Sequence, residues 1–196
     1  MTSNPGLTIR QLRARAVKVP MPLPLQTSSG TIGIAPLALI DLETEEGVTG
    51  CAYLFCYTVL ALKPVIQMLE NLAPLIQGDA VAPRELERKL QAQFRLLGAK
   101  GIAAMALAGL DMAAWDALAK SRGMPLAKLL GGERRRIPAY NSCGLGMIGA
   151  ERAADEAQQL AAPGFDAIKV RLGYPELKTD IGVVPAVKRA IGDEVL

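Results

Sequence analysis

Apolar and polar positions alternate along much of the first 57 residues, with the period of two that is typical of half-buried β-strands. The alternation predicts strands over residues 7–19, 36–43 (PLALIDLE) and 48–57. The turn residues Glu45, Glu46 and Gly47 join the last two strands. Strands that follow one another over so short a distance favour an antiparallel meander.

Residues 20–35 (PMPLPLQTSSGTIGIA) interrupt this pattern with three prolines, a serine pair and two glycines. The composition predicts an irregular segment of about 15 residues, a length that is more often functional than incidental in a compact domain. Its side chains are nevertheless apolar for a solvated loop. We therefore expect a flap that covers another part of the molecule.

From residue 59 onward the apolar positions recur at helical spacing. Helices are predicted over residues 59–77, 83–97 and 102–121, followed by a short helix over 125–130. The third helix is apolar on nearly every face, and Gly123 follows it as a C-terminal cap residue. We expect this helix to be buried.

Beyond residue 133 strand and helix patterns alternate, which indicates a parallel sheet. The predicted elements are a strand at 137–141, a helix at 151–162, a strand at 166–172 and a helix at 177–190. Two domains follow, residues 1–132 and residues 133–196.

Composition narrows the functional classes. The chain has 196 residues, a net charge of +3 and 4% aromatic residues, so it lacks the basic field and stacking platforms of a nucleic-acid-binding protein. Three cysteines without CxxC spacing, and no signal-peptide pattern, favour the cytoplasm. No apolar run reaches the roughly 18 residues of a membrane span, and the absence of histidine excludes His-dependent triads and zinc sites within these residues.

Candidate chemistry lies on the strand at 166–172, where Lys169 and Arg171 alternate with aliphatic residues and so share one face. On the inner face of a barrel strand, near its C-terminal end, two cations would bind and polarise a carboxylate. A desolvated lysine beside a second cation also becomes a usable base near neutral pH. The alternative is an exposed strand edge whose charges are merely solvated.

Three stretches of the sequence resemble the mandelate racemase and muconate-lactonising enzyme family of the enolase superfamily. Residues 108–131 (AGLDMAAWDALAKSRGMPLAKLLG) are similar to the family's signature helix and turn. Residues 22–58 (PLPLQTSSGTIGIAPLALIDLETEEGVTGCAYLFCYT) and 167–175 (AIKVRLGYP) resemble mandelate racemase-like members. The resemblance runs from Ile9 to the end of the chain.

The resemblance implies an α+β N-terminal capping domain, an antiparallel meander plus helices, followed by the start of a modified TIM-type β/α barrel that is truncated here. It further implies a small-molecule 2-hydroxy carboxylate substrate, a Mg²⁺ ion that stabilises the enediolate formed by α-proton abstraction, and a homo-oligomer. In the family the strand with paired cations carries Lys-x-Lys. Its first lysine neutralises the carboxylate, its second is a base, and Lys169 matches the first.

Arg171 stands at the second position and departs from the pattern. A guanidinium is a poor proton acceptor, so a two-base racemisation through this residue is in doubt, whereas a carboxylate clamp or anion stabiliser suits it. A one-base dehydration of a sugar acid then becomes attractive. The apolar flap favours an aromatic or aliphatic 2-hydroxy acid instead.

The resemblance also assigns substrate-contacting positions on the flap, after a barrel strand and after the third strand: Leu25, Thr27, Ile32, Ser142 and Tyr57. Ser142 is alternatively a turn-forming serine, and Tyr57 a strand-end tyrosine with a hydrated hydroxyl. Asp111 and Asp116 of the signature helix are expected to be structural carboxylates.

Mandelate racemase-like α-proton abstraction is the first hypothesis, and acid-sugar (aldonate or aldarate) dehydration is the second. The metal ligands are expected beyond Leu196, so these 196 residues alone are expected to be inactive. A noncatalytic binding or scaffold protein on a degenerate enolase fold is the hypothesis from another class, and the lysine-to-arginine departure permits it.

Overall fold

A computed structural model describes residues 6–195, which divide into two compact units. The first unit contains residues 6–19 and Ala35–Arg134, and the second contains Pro20–Ile34 and residues 135–195. The chain passes between the units close to the junction expected near residue 133. Residues 20–34, which precede that junction in the sequence, pack with the second unit.

Three strands form one sheet in the order β1-β2-β3, with β1 spanning Ile9–Thr27, β2 spanning Gly30–Thr44 and β3 spanning Thr49–Phe55. β2 and β3 pair antiparallel in a register that runs from Leu37 opposite Phe55 to Glu43 opposite Thr49. Along β2 every second residue from Ala38 to Thr44 is buried, as the alternating pattern predicts. The predicted antiparallel meander is confirmed.

The prediction of an irregular flap over residues 20–35 is wrong, because β1 and β2 continue through this segment as one long hairpin. The prolines Pro20, Pro22 and Pro24 stand two residues apart, so their ring nitrogens all lie along the same edge of β1. As β1 is the outer strand of the sheet, its free edge needs no N–H donors there. A two-residue turn at Ser28 and Ser29 closes the hairpin.

The helices begin and end close to the predicted positions, and α3 has the predicted bounds. They are α1 (Val59–Ile76), α2 (Pro83–Gln91) with a 3₁₀ turn at Ala92–Phe94, α3 (Ile102–Ser121), α4 (Leu126–Leu129), α5 (Ala150–Ala161) and α6 (Leu177–Ile191). Gly123 ends α3 in the left-handed region, at φ 59°. Its N–H donates to the Lys120 carbonyl at 3.0 Å and that of Met124 to the Ala119 carbonyl at 3.2 Å, a Schellman cap.

Helix α3 packs against β3 with little space between the two backbones. A Cβ on Gly50 of β3 would overlap the Ala113 carbonyl oxygen, and one on Gly109 of α3 would overlap the Ile40 side chain. The buried face of α3 is otherwise mostly alanine, including Ala106 and Ala113. Small residues on both sides therefore allow this contact.

Helices α1 and α3 are long and apolar enough to cross a membrane by length and composition alone. Both contribute to one hydrophobic core with the sheet, through residues such as Leu69 of α1 and Leu110 of α3. Core helices of a folded domain pass the same test of length and composition, and about half of α3 and a smaller part of α1 are buried.

The second unit contains the hairpin tip, α5, α6 and two extended segments. These segments run parallel, through a bridge between Asn141 and Ile168. The Asn141 N–H donates to the Ala167 carbonyl and the Lys169 N–H to the Asn141 carbonyl, both at 2.9 Å. The predicted strands at 137–141 and 166–172 are therefore reduced to a single bridge, because among the described residues neither segment has a further strand beside it. The β/α barrel remains a prediction.

Candidate functional site

Arg171 lies where the second extended segment approaches the loop after Asn141. Its Nη1 donates to the Gly144 carbonyl oxygen at 2.5 Å, and its backbone N–H donates to the Leu145 carbonyl at 3.1 Å. The side chain is half-buried. Both ends of the residue are thus fixed to the same loop.

Lys169 differs from Arg171 although it lies only two residues away. Its side chain is exposed, and within residues 6–195 it forms no salt bridge. Ile168 and Val170, which flank it, pack against the α5–α6 core, while Leu172 is 47% exposed. The alternation predicted for this segment therefore extends through Val170 and ends before Leu172.

The tip of the β1–β2 hairpin lies against this loop. The Met147 N–H donates to the Gln26 carbonyl at 3.3 Å, and a Cβ on Gly146 would come within 2.9 Å of the Gln26 Cβ. At the turn, Ser28 Cβ lies 3.4 Å from the Cβ position of Gly173, the residue that follows the cationic segment. The hairpin, which was expected to be a flap, therefore contacts the loop after Asn141 and the end of the segment that carries Lys169 and Arg171.

The hairpin residues expected to contact substrate lie near this tip. The Thr27 hydroxyl donates to the Gly30 carbonyl at 3.1 Å and accepts from the Ser29 N–H at 3.2 Å, so it stabilises the turn itself. Leu25 and Ile32 are half-buried. They provide apolar surface on the two strands of the hairpin.

Ser142 and Tyr57 are both exposed, and they belong to different units. Ser142 directly follows Asn141 in the loop that contacts Arg171. Tyr57 lies after β3 with a left-handed φ of 58°, and its ring centroid is 4.6 Å from that of Phe55. The structure brings Leu25, Thr27, Ile32, Ser142, Lys169 and Arg171 into the second unit, whereas Tyr57 belongs to the first.

Several residues that support the site gave little signal in the sequence. The Glu156 carboxylate on α5 accepts from the Leu145 N–H at 3.0 Å. The Asp180 carboxylate accepts from the N–H of Gly173 at 2.9 Å, and the Tyr174 hydroxyl accepts from the Gly149 N–H at 2.8 Å. Gly144, with φ 82°, could have been suspected from the Gly-x-Gly spacing, but Glu156 belongs to no motif.

A cavity of about 320 Å³ lies between the hairpin and α5, lined by residues that include Leu23, Gln26, Arg152 and Glu156. Neither Lys169 nor Arg171 lines it. The cavity therefore lies beside the cationic segment and is distinct from the predicted substrate position.

The two carboxylates of the signature helix have contacts that suit a structural role. Asp116 accepts from the Cys51 N–H at 2.7 Å and pairs with Lys120 at 2.7 Å, a contact that raises the pKa of the lysine. Burial raises the pKa of Asp111, with a smaller contribution from nearby Glu87. Asp116 thus connects α3 to β3.

A divalent metal needs several oxygen ligands close together. Across residues 6–195 there is no group of three or more His, Cys, Asp or Glu side chains placed to hold a metal ion. The described residues do not fit a magnesium centre, and no ligand is assigned among them.

Comparisons with known proteins identify relatives of this arrangement. The sequence model of the mandelate racemase / muconate lactonizing enzyme N-terminal domain matches residues 9–131. A crystal structure of an enolase from the alpha proteobacterium bal199 with bound magnesium superimposes with a TM-score of 0.91 at 39% identity, covering 96% of this chain and 53% of that one.

An enolase from Bradyrhizobium, complexed with magnesium and mandelic acid, superimposes with a TM-score of 0.87 at 41% identity. The superposition covers 100% of this chain and 53% of the Bradyrhizobium chain. Among curated proteins, the arabinonate dehydratase of Saccharolobus solfataricus is 28% identical over 158 residues, 79% of this chain and 42% of that protein. The chain spans about half the length of the curated relatives it matches, which also include cycloisomerases and an epimerase.

Proposed function

The chain belongs to the mandelate racemase / muconate lactonizing enzyme family, and we propose that it forms part of an enzyme that removes the proton α to the carboxylate of a 2-hydroxy acid. The observation that carries this proposal is the pair of cations next to the hairpin tip, one fixed and one exposed. Deprotonation beside a carboxylate creates a second negative charge. Preplaced cations lower the free energy of that transition state.

The two cations take different roles in this proposal. Lys169, exposed and without an ion pair in the described part of the chain, binds the substrate carboxylate. Arg171 is held by Gly144, and because a guanidinium is a poor proton acceptor, it stabilises the developing anion instead of taking the proton. The base that takes the α-proton lies outside these residues.

Magnesium belongs to the proposal through the structural relatives, several of which contain it. The metal ligands are proposed to come from residues other than those described here. The chain's own contribution is the β1–β2 hairpin, the cation that binds the carboxylate and the cation that stabilises the anion. We accordingly propose that the 196 residues alone show no turnover.

The hairpin supports an apolar substrate. Leu25 and Ile32 offer aliphatic surface, and the Thr27 hydroxyl is occupied within the turn, so these three positions offer no free hydrogen-bonding group to a polyhydroxylated sugar acid. A racemase acting on an aromatic or aliphatic 2-hydroxy acid is our first choice, with Ser142 and Tyr57 as additional substrate contacts. The relative crystallised with mandelic acid agrees with this choice.

Arg171 favours a second candidate, an acid-sugar dehydratase that uses a single base. A guanidinium in place of a lysine removes one of the two bases that inversion requires. Dehydration needs only one base, because the α-proton and the β-hydroxyl leave without inversion of a stereocentre. The arabinonate dehydratase among the relatives belongs to this reaction class.

Deuterium exchange separates these functions. Full-length protein, which includes the proposed metal ligands and base, is incubated with (R)-mandelate and Mg²⁺ in D₂O, and the α-proton is followed by NMR and the enantiomeric composition by circular dichroism. Loss of the α-proton signal with inversion supports the racemase. A 2-keto acid from aldonates, without exchange of mandelate, supports the dehydratase, and inactivity toward both substrate classes overturns the enzymatic proposal in favour of a scaffold.

Lys169→Met tests the role of the exposed cation. In the full-length protein we expect kcat/KM to fall by roughly 10–10²-fold, because the substrate carboxylate loses one charge-assisted hydrogen bond. Lys178→Met, which removes an exposed lysine from α6, is the matched control and should leave kcat/KM within about twofold. Equal effects of the two substitutions would count against Lys169.

We further propose that the protein works in the cytoplasm as a homo-oligomer on a small-molecule substrate. Exposed apolar residues such as Ile137 (66%) and Ile181 (63%) offer surface for association. Light scattering coupled to size exclusion tests this, and a monomer at micromolar concentration contradicts it.

A further inference from the structure

A single peptide unit, between Gly144 and Leu145, is held from both sides by charged groups. Its N–H, from Leu145, donates to Glu156 Oε2 at 3.0 Å. Its carbonyl, from Gly144, accepts from Arg171 Nη1 at 2.5 Å. An anion and a cation are thus joined through one amide.

The backbone on both sides of this amide lies in the left-handed region, with φ 82° at Gly144 and φ 46° at Leu145. A non-glycine residue there costs of order 1 kcal/mol or more, so other contacts must hold it in place. Leu145 supplies one of these, because its side chain is fully buried in the α5–α6 core. Its strained conformation directs the amide N–H toward α5.

Glu156 approaches Gly144 so closely that a side chain at position 144 would not fit. A Cβ there would overlap the Glu156 carboxylate and would also lie 3.1 Å from Leu23 Cδ1 of the hairpin. The glycine therefore meets two needs at once, a left-handed φ and space for the carboxylate. This close fit joins α5, the loop and the hairpin at one point.

An amide whose N–H donates to a carboxylate carries a more negative carbonyl oxygen, which strengthens the hydrogen bond that this oxygen accepts. The bond from Arg171 gains in this way from Glu156 although the two side chains are on opposite sides of the amide. We propose that Glu156 is a positioning residue, which fixes the Arg171 guanidinium through the Gly144–Leu145 peptide. The inference rests on the proposed function, in which Arg171 stabilises the anion formed from the substrate.

Glu156→Ala and Glu156→Gln test the proposal in the protein as it exists. Alanine removes the acceptor, so the Leu145 amide should exchange with solvent roughly 10–100-fold faster, as expected when a buried donor loses its partner. The Nη–H signals of Arg171, assigned by their loss in Arg171→Lys, should broaden or merge. Glutamine keeps a carbonyl acceptor, so Glu156→Gln should restore both the slow exchange of the Leu145 amide and the sharp Nη–H signals of Arg171.

Kinetics provide a readout that a purely structural role would not give. If Glu156 acts through Arg171 on the transition state, Glu156→Ala lowers kcat about tenfold or more with KM unchanged, while Glu156→Gln stays within about threefold. Asp155→Ala, which removes an exposed carboxylate one position away on α5, is the matched control and should change neither NMR nor kinetics.

The NMR measurements need no turnover, so they judge this inference even if the proposed function fails. Unchanged Arg171 signals and unchanged Leu145 exchange in Glu156→Ala overturn it. If those signals change but neither mandelate nor aldonates react with the full-length wild-type protein, the positioning contact stands and the proposed function falls. If kcat falls and KM rises together in Glu156→Ala, and Glu156→Gln does not rescue them, Glu156 serves the general folding of the unit instead.

Discussion

The two units of the molecule hold themselves together by different means. Within residues 6–195, the core of the first unit contains 22 buried residues, most of them from the sheet and from α1, α2 and α3, whereas the core of the second contains six, from one loop, α5 and α6. In the second unit this small core is supplemented by side chains that bind the backbone of loops, such as Glu156 to Leu145 and Asp180 to Gly173. The larger core supports regular structure, and the smaller one supports loops fixed at particular atoms.

This difference matches the division of roles that we propose. The first unit contains the signature helix and the sheet, where alanine and glycine allow close packing. The second contains Lys169, Arg171 and the hairpin tip. Functional side chains are commonly found on loops that a packed scaffold positions. The experiments below test whether stability is divided in the same way.

A matched pair of leucines should show the contrast most strongly. Leu110 and Leu145 are both essentially fully buried, one in each core. We expect Leu110→Ala to lower the free energy of unfolding by about 3–5 kcal/mol, because the large core relaxes little around the cavity. Leu145→Ala should cost about 2–3 kcal/mol. The fluorescence of Trp115, the single tryptophan, reports urea unfolding of the first unit, and hydrogen exchange in α5 reports opening of the second. A larger loss of unfolding free energy for Leu145→Ala than for Leu110→Ala would refute the contrast.

Gly50→Ala should reduce stability by about 3 kcal/mol, because the added methyl group meets the backbone of α3, which cannot move aside. Thermal unfolding monitored by Trp115 fluorescence measures the loss. The control is Gly182→Ala on α6, where no atom lies within 4 Å of the new Cβ and φ is not left-handed. That variant should gain roughly 0.5–1 kcal/mol from helix propensity, and a loss of equal size at both sites would argue against tight α3–β3 packing.

Asp116→Ala should cost about 1–3 kcal/mol, since it leaves the Cys51 N–H without its carboxylate acceptor. Lys120→Ala removes the more exposed partner of the ion pair together with its hydrogen bond to the Thr49 carbonyl, and should cost at most about 1 kcal/mol. Chemical denaturation of both variants decides the order. If the lysine variant is the less stable, Asp116 does not connect the helix to the strand as described.

The smallest effect is expected at Asp111, whose pKa is raised above its ordinary value of 3.8, chiefly by burial and then by Glu87. The folded protein therefore binds this proton more tightly than the unfolded chain does, and stability falls as the pH rises from 3.8 through the raised pKa. Asp111→Asn cannot ionise. It should be more stable than wild type near neutral pH and equal to it below the ordinary pKa, and a pH series of melting temperatures tests this; a gap that widens toward acid contradicts it.

Local patterns were enough to predict the elements whose neighbours are close in the sequence. The bounds of α3 were predicted because an apolar run ends at a glycine cap, and the meander because its strands follow each other directly. The hairpin was mistaken for a loop, since prolines exclude only a central strand and the edge position of β1 is a property of the whole sheet.

The same limit applies to the candidate site. Lys169 and Arg171 were predicted as site residues because two cations on one strand face form a visible pattern, and their roles stay a prediction. Glu156 was missed because its partner, the Leu145 amide, lies 11 residues away and backbone groups leave no trace in the sequence. The turn role of Thr27 was likewise hidden, as its hydroxyl binds the backbone of its own turn.

The single strand β1 supplies residues to both units, with Ile9 buried in the first core and Gln26 bonded to Met147 in the second. On the ribosome the hairpin emerges long before its docking surface is made. At 5–20 residues per second, the intervening stretch of roughly 120 residues takes on the order of ten seconds to synthesise. During that delay the apolar side chains of the hairpin have no second unit to pack with.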